Sequence, residues 1–450
     1  MNSKNQVSRR QFVSTVATGA LVGVTTGRLS AHDISTRKAG LPALLGGPPI
    51  RTEKWSEWPI WDKSAEDRIL EVLRSGNWFR GRDTKVDEFE KEYAQLVGAK
   101  RCLATASGTT ALLTALHALG VEAGDEVLVA PYTFIATYNV VFLNKALPVF
   151  VDTNQETFTM DPDKIEERIT ERTKAILPVH ILGLPADMDA INAVAKKHNL
   201  LVIEDACQAW LAEYRHKRCG TLGDLGCFSF QNSKNLPAGE GGAVTGNDEE
   251  LMDRCHSFHN CGRPFQSVKD TSKYPTRGTN YRMQQFQAVI LMSQMKRIER
   301  DADIRLENAL YLTPKIAEIP GIIPYKLAPG ATRSAYHLYP FRYKKEHFNN
   351  LPREKFLAAL SAEGIPCSGG YGPQYKDGLI EEALSSKSYE RLFSRQRLEK
   401  YRDENHYPNN DQLCEEAVWL GQEMLLGSKE DMDDIADAIA KIYENREKLV

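Results

Sequence analysis

The sequence predicts an α/β fold: a mostly parallel sheet covered by helices, followed by a smaller α+β domain at the C-terminal end. Two observations carry this. From residue 100, nearly continuous apolar runs (CLATA, EVLVAP, PVFVD, AILPVH, LVIEDA, CFSF, GGAVTG) alternate with helix-like segments such as TTALLTALHALG, DPDKIEERI and DMDAINAVAKKHN. Strands without polar alternation are buried on both faces, as in a parallel sheet between helices. From about residue 320 the pattern changes to AYHLYPFRY, REKFLAALSAEG and KEDMDDIADAIAKIYENREKL, short strands and helices of a second unit. The expected division is a leader at 1–31, a large α/β domain with an N-terminal arm at 32–310, and a small α+β domain at 311–450.

Taken in chain order, the leader comes first. SRRQFVSTVATGALVGV places Arg9 and Arg10 before a weakly apolar run from Phe12 to Val24. A membrane span needs about 20 apolar residues, so no stable span is expected here. An arginine pair ahead of such a run resembles a twin-arginine export signal, with export to the periplasm as the consequence and a cytoplasmic protein as the alternative. Gly19, Gly23 and Gly27 make a poor amphipathic helix, the competing reading.

Composition narrows the class. Hydrophobic residues make up 42% and charged residues 26%, as in a globular enzyme. Lys and Arg number 57 against 60 Asp and Glu, a net charge of -3, which gives no basis for a nucleic-acid partner. The eight cysteines are scattered without a C-x-x-C pair, and most read as small buried residues. CHSFHNCG, with Cys255, His256, His259 and Cys261, fits no compact zinc spacing, so no metal site is assigned.

Ligands of parallel sheets bind beyond the carboxyl ends of the strands. After CLATA comes Ser107-Gly108-Thr109-Thr110, small residues that open a helix and offer backbone N–H groups to an anion. After EVLVAP comes Phe134, an aromatic plate or a plain core residue. LVIED ends on Asp205, whose charge after an apolar strand needs a partner, with Gln208 about one turn on. CFSF holds Ser229 and leads to Ser233 and Lys234, and AGEGG then lets the backbone pass close. Pyridoxal phosphate requires this set: a phosphate cradle, a carboxylate for the ring nitrogen, a lysine amine for the aldehyde.

ASGTTALLTALHALG, VLVAPYTFIAT, PVHILGLPADMDAI, VIEDACQA, GDLGCFSFQNSKNL, GEGGAV and NYRM together resemble the DegT/DnrJ/StrS sugar aminotransferases, over roughly residues 45 to 450. The resemblance implies the aspartate aminotransferase-like fold type I of pyridoxal phosphate-dependent transferases, working as a homodimer with shared active sites. It makes Lys234 the lysine that bonds the cofactor aldehyde and Asp205 the partner of the ring nitrogen. It places Gln208 beside the ring or its hydroxyl, Gly108, Thr109 and Ser229 on the phosphate, and Phe134 on the ring face. Asn280, in GTNYRM, would reach the phosphate in the other subunit. SGNWFRG and GIPCSGGYGPQY are similar to the branch acting on cyclitol ketones or aminohydroxybenzoate precursors, which makes Trp78, Phe79, Arg80 and Tyr371 candidate substrate-facing groups. His180 and His337 read equally well as packed, hydrogen-bonded histidines and stay outside the catalytic set.

The activity implied is transfer of an amino group from an amino acid, glutamate or glutamine, to a keto-sugar or keto-cyclitol. A dehydratase-like enzyme is one alternative, but that branch replaces the lysine with histidine. A non-catalytic binding or sensor protein on the same fold is the other.

Overall fold

Seven strands form the central sheet: β1 Arg101–Thr105, β2 Glu126–Val129, β3 Leu147–Phe150, β4 Thr173–Leu177, β5 Leu201–Asp205, β6 Leu225–Ser229 and β7 Gly242–Gly246. The chain is described by a computed structural model covering residues 40–265 and 274–450, so the leader expected at 1–31 lies outside the described residues. The strand order is β1-β7-β6-β5-β4-β2-β3. Strands β2 to β6 pair parallel, and β7 runs antiparallel between β6 and β1. Every residue of β2, β3, β6 and β7 is buried, which is why these strands read as unbroken apolar runs.

This topology brings one edge of the sheet together. Thr105 and Ser229, at the ends of β1 and β6, both pair with Gly242, where β7 begins. A side chain on Gly242 would place its Cβ 2.3 Å from Ser107 O and 2.7 Å from Gly108 N. Glycine is required there because the strand passes directly over the start of the helix that follows β1.

That helix, Gly108–Ala118, is capped by a reciprocal pair: the Ser107 side chain accepts from Thr110 N, and the Thr110 hydroxyl accepts from Ser107 N. The long helix Gln285–Ala317 then links two cores. Its Ala288, Val289, Leu291 and Met292 pack with Phe89, Tyr93, Phe228 and Phe230, whereas Ala309, Leu312 and Ile316 join the core of a second sheet. This sheet is antiparallel, in the order Ile322–Pro324, Leu338–Tyr343, Ala417–Gly421, Cys367–Ser368. Helices Arg353–Ala362 and Lys429–Glu444 contribute Phe356, Leu360, Ile435 and Ile439 to the same core.

The segment at residues 51–58, ahead of the helix Glu66–Ser75, binds across this C-terminal part. Arg51 pairs with Asp431 and Asp434, and Trp55 Nε1 donates to Gly364 O at 2.9 Å. Trp58 Nε1 then donates to the backbone oxygen of Lys234 at 3.1 Å. All eight cysteines are free thiols. Among the described residues no helix is long and apolar enough to cross a membrane.

Candidate active site

At the edge where β1, β5 and β6 end lies a cavity of about 510 Å³. Gly108, Thr109, Phe134, Asp205, Gln208, Ser229, Lys234 and Tyr371 all line it, together with Thr137, Cys207, Glu240 and His337. These residues come from six stretches of the chain: the ends of β5 and β6 with the turns after them, the helix starts after β1 and β2, and two segments of the C-terminal part, at His337 and Tyr371.

Lys234 sits in the turn after β6, where its N–H donates to Gln231 O at 2.9 Å. Its Nζ lies 3.4 Å from His337 Nε2 and 5.9 Å from the centroid of the Trp210 ring. Burial pulls the amine below the usual lysine value, against the opposing pull of the nearby Cys207 and Asp205. A lysine so placed gives up its proton more readily than a solvated one, which is what a nucleophilic amine requires.

Asp205 is 4% exposed and accepts one hydrogen bond on each oxygen. Thr137 Oγ1 donates to Oδ2 at 2.8 Å, and Cys207 N donates to Oδ1 at 3.1 Å. Neither donor carries a charge, and each oxygen has a further lone pair that can accept from a cationic N–H.

The opposite end of the cavity is built for an anion. The first amides of a helix have no partner within it, so those at Gly108 and Thr109 open the helix as donors, with the helix dipole behind them. A Cβ on Gly108 would come within 2.7 Å of Ser229 Cβ and 2.9 Å of Cys207 Sγ, so only glycine lets these walls meet. Between the two ends, Gln208 Oε1 accepts from Leu182 N at 2.7 Å, and its Nε2 donates to Tyr371 Oη at 3.0 Å. Burial raises the Tyr371 phenol to about 12, so it stays protonated. Phe134 is 55% exposed and forms the cavity's outer wall.

Four expected residues lie elsewhere. Trp78 is 52% exposed and its Nε1 donates to Leu73 O; Phe79 lies under the Arg282 guanidinium at 5.1 Å. The expectation that Arg80 faces substrate does not hold for this chain's cavity. Its guanidinium is buried in a bidentate pair with Glu90 at 2.9 and 3.0 Å, beside His259 Nε2 at 3.3 Å. That pairing consumes the fork that a substrate would need. Asn280 is exposed and bridges the backbone of Asn260, away from the lining of the cavity.

Of the two histidines of CHSFHNCG, His256 packs edge-on against His259 and Phe265, and His259 is hydrogen-bonded within the fold. His259 Nδ1 lies 2.6 Å from His256 O and its Nε2 faces Arg80, so the first nitrogen donates and the second accepts. His180, Glu204 and Cys219 cluster closely, yet Ala186 N donates to His180 Nδ1 and Nε2 donates to Glu204. Glu204 also accepts from Gly220 N, Leu222 N and Gly223 N, which makes the cluster a backbone clamp.

Sequence reasoning missed Thr137, Asn235 and Trp58, and passed over His337. The hydroxyl in TFIAT, at the second residue of the helix Ala136–Leu143 that follows β2, was the available signal for Thr137. Nothing local in SAYHLYPF separates a site histidine from a packed one.

The donor set fits pyridoxal phosphate: an anion cradle at a helix start, a carboxylate held by neutral donors, and a buried amine share one cavity. Comparison with known proteins agrees. A model of the DegT/DnrJ/EryC1/StrS aminotransferase family matches residues 59–440. The L-glutamine:2-deoxy-scyllo-inosose aminotransferase of Streptoalloteichus tenebrarius is 35% identical over 423 residues, covering 90% of this chain and 98% of that protein. The crystal structure of 3-amino-5-hydroxybenzoic acid synthase superposes with a TM-score of 0.77 at 29% identity, over 88% of this chain and 100% of that one. NtdA from Bacillus subtilis, with bound cofactor PMP, superposes with a TM-score of 0.73 at 26% identity, over 88% and 86% of the two chains.

Proposed function

Because the chain belongs to the DegT/DnrJ/EryC1/StrS aminotransferase family, we propose that it moves the amino group of glutamine to a keto-cyclitol, with pyridoxal phosphate in the cavity. It is an aminotransferase of fold type I; the donor, the acceptor and the cofactor of this chain are the parts proposed. The observation that carries the reading is that Lys234 Nζ and the Asp205 carboxylate line one cavity beside an open helix start.

Bound there, pyridoxal phosphate supplies an aldehyde that can carry nitrogen and a cationic ring that can accept electrons. Asp205, held by Thr137 and Cys207, would keep the ring nitrogen protonated. Gly108, Thr109 and Ser229 would hold the phosphate, Gln208 would sit beside the ring, and Phe134 would cover it. Lys234 Nζ would bond the aldehyde, and when free it would take a proton from the donor's α-carbon and return one to the acceptor's carbon. The phenol of Tyr371, protonated and already accepting from Gln208, has its own hydrogen left to give to substrate or cofactor.

The acceptor class rests on the relative that acts on 2-deoxy-scyllo-inosose and on the similarity of SGNWFRG and GIPCSGGYGPQY to the cyclitol branch. The dehydratase reading is disfavoured by Lys234 itself, and a sensor without catalysis is disfavoured by the complete set of site groups. We also propose a homodimer in which the exposed Asn280 reaches the partner's cavity, and export by the arginine pair at Arg9 and Arg10. Fractionating cells that express wild type or an Arg9→Lys/Arg10→Lys variant tests export; retention of both in the cytoplasm at full length would refute it.

The function is tested by incubating the cofactor-loaded protein with glutamine and 2-deoxy-scyllo-inosose, and separately with nucleotide-linked keto-sugars, and following the amine product by mass spectrometry. Conversion of the cyclitol ketone is expected. Conversion of nucleotide-linked ketones alone would overturn the acceptor class.

A further inference from the structure

We propose that His337 is a positioning residue for Lys234: its Nε2 accepts a hydrogen bond from the lysine amine, and Asn235 fixes the ring tautomer that makes this possible. The inference rests on the aminotransferase reading for its consequence, but its geometry stands separately.

The chain of contacts runs in one direction. Asn235 Nδ2 donates to Ala335 O at 2.9 Å, which fixes the amide so that its oxygen faces His337. That oxygen lies 3.2 Å from His337 Nδ1 and can only accept, so Nδ1 carries the proton. Nε2 is then left with its lone pair toward Lys234 Nζ, 3.4 Å away. The opposite tautomer would set an N–H against the amine's own hydrogens and leave Asn235 Oδ1 buried without a donor.

The ring has little freedom to turn. His337 packs edge-on to Trp210 with centroids 5.8 Å apart. The backbone before it is anchored by Ala335 N and Ser334 Oγ, which both donate to Gly183 O, at 2.9 and 2.8 Å. Burial first, then the Lys234 and Arg305 cations, hold the imidazole well below its ordinary value, so it stays neutral. A neutral acceptor orients the amine without supplying a competing charge. With one N–H directed to His337, the amine's remaining valences point into the cavity. Lys234 and Asn235 are adjacent in sequence, so the residue that bonds the cofactor and the one that sets the tautomer share a turn.

The test uses the full-length protein with 15N-labelled histidine, the His337 signals being identified by their loss in His337→Gln. Protonated Nδ1 with unprotonated Nε2 is expected. A ring protonated at Nε2, alone or at both nitrogens, overturns the proposal, whatever reaction the protein catalyses. Asn235→Asp puts an anion against Nδ1, favours the doubly protonated ring and removes the acceptor from the amine. The rate of pyridoxal phosphate uptake by the stripped protein, read by absorbance, should fall about tenfold or more in Asn235→Asp and in His337→Leu. His337→Gln, whose amide oxygen can accept, should recover part of that rate. In the loaded enzyme kcat should fall with it while KM for both substrates stays within about twofold. Wild-type uptake in both Asn235→Asp and His337→Leu would also overturn the proposal.

Discussion

Thr137 donates its hydroxyl to Asp205 Oδ2 across 2.8 Å, and Thr133 Oγ1 lies 2.7 Å behind it, so a short relay of hydroxyls ends on the buried carboxylate. Because Cys207 N serves the other oxygen, the carboxylate is held in one orientation by two neutral donors. Hydrogen bonds to a charged group contribute about 1.5–3 kcal/mol. Thr137→Val should therefore weaken pyridoxal phosphate binding by about tenfold or more, and Thr137→Ser should restore it. Titration of the stripped protein with cofactor checks this; equal affinities for valine and threonine would remove Thr137 from the site.

The strand start at Gly242 makes a steric prediction. Its missing Cβ would lie 2.3 Å from Ser107 O, a backbone atom that cannot swing aside. Gly242→Ala should destabilise the fold by about 1–3 kcal/mol and lower cofactor occupancy, since the same shift displaces the helix start. A Cβ added at Gly372 would meet nothing within 4 Å, and Gly372→Ala should stay within about 0.5 kcal/mol of wild type. Denaturant unfolding of the two variants gives the comparison, and equal stabilities would contradict it.

Acid should weaken the fold through His256. Burial, followed by the Arg80 and Arg101 cations, holds His256 at about 4 in the folded protein. In the unfolded chain it takes a proton near the ordinary value of about 6.5. The unfolded state thus binds more protons between these values, and stability falls as pH drops from about 6.5 to about 4. Above that window the histidine is neutral in both states and its contribution is complete. Melting temperature followed across the window should decline, and less steeply in His256→Gln. An unchanged slope in the variant would refute the assignment to His256.

How much of this was legible in sequence follows from what is local. Asp205 and Ser229 stand at the ends of apolar runs, and Gly108 opens a helix after another, so strand-end reasoning alone finds three corners of the cavity. Lys234 is recognisable from its hydroxyls and glycines. Thr137 is not, because its partner is 68 residues away and a threonine in the first turn of a helix is common. His337 likewise depends on Asn235, 102 residues distant. Arg80, a candidate through the similarity of SGNWFRG to the cyclitol branch, lies outside this cavity for the converse reason: only the fold brings Glu90 against it. The fold class was readable because β2, β3, β6 and β7 are buried throughout. That β7 runs antiparallel was not, since a buried strand carries no mark of its direction.

Asn280 allows a test of shared sites. It is exposed in this chain and lies outside the cavity's lining, as a residue serving a neighbour would. Lys234→Ala and Asn280→Ala proteins, each impaired alone, should regain activity on subunit exchange, because the mixed dimer holds one site with both lesions and one with neither. Activity that never exceeds the sum of the two parents would count against the homodimer with shared sites.

Lys234 is the residue proposed to bond the cofactor. Borohydride reduction of the protein with pyridoxal phosphate, followed by peptide mass mapping, tests it most directly. A single cofactor-derived mass on the peptide containing Lys234, absent from Lys234→Ala, is the predicted result. The same mass on another lysine, or undiminished labelling of Lys234→Ala, would contradict the account.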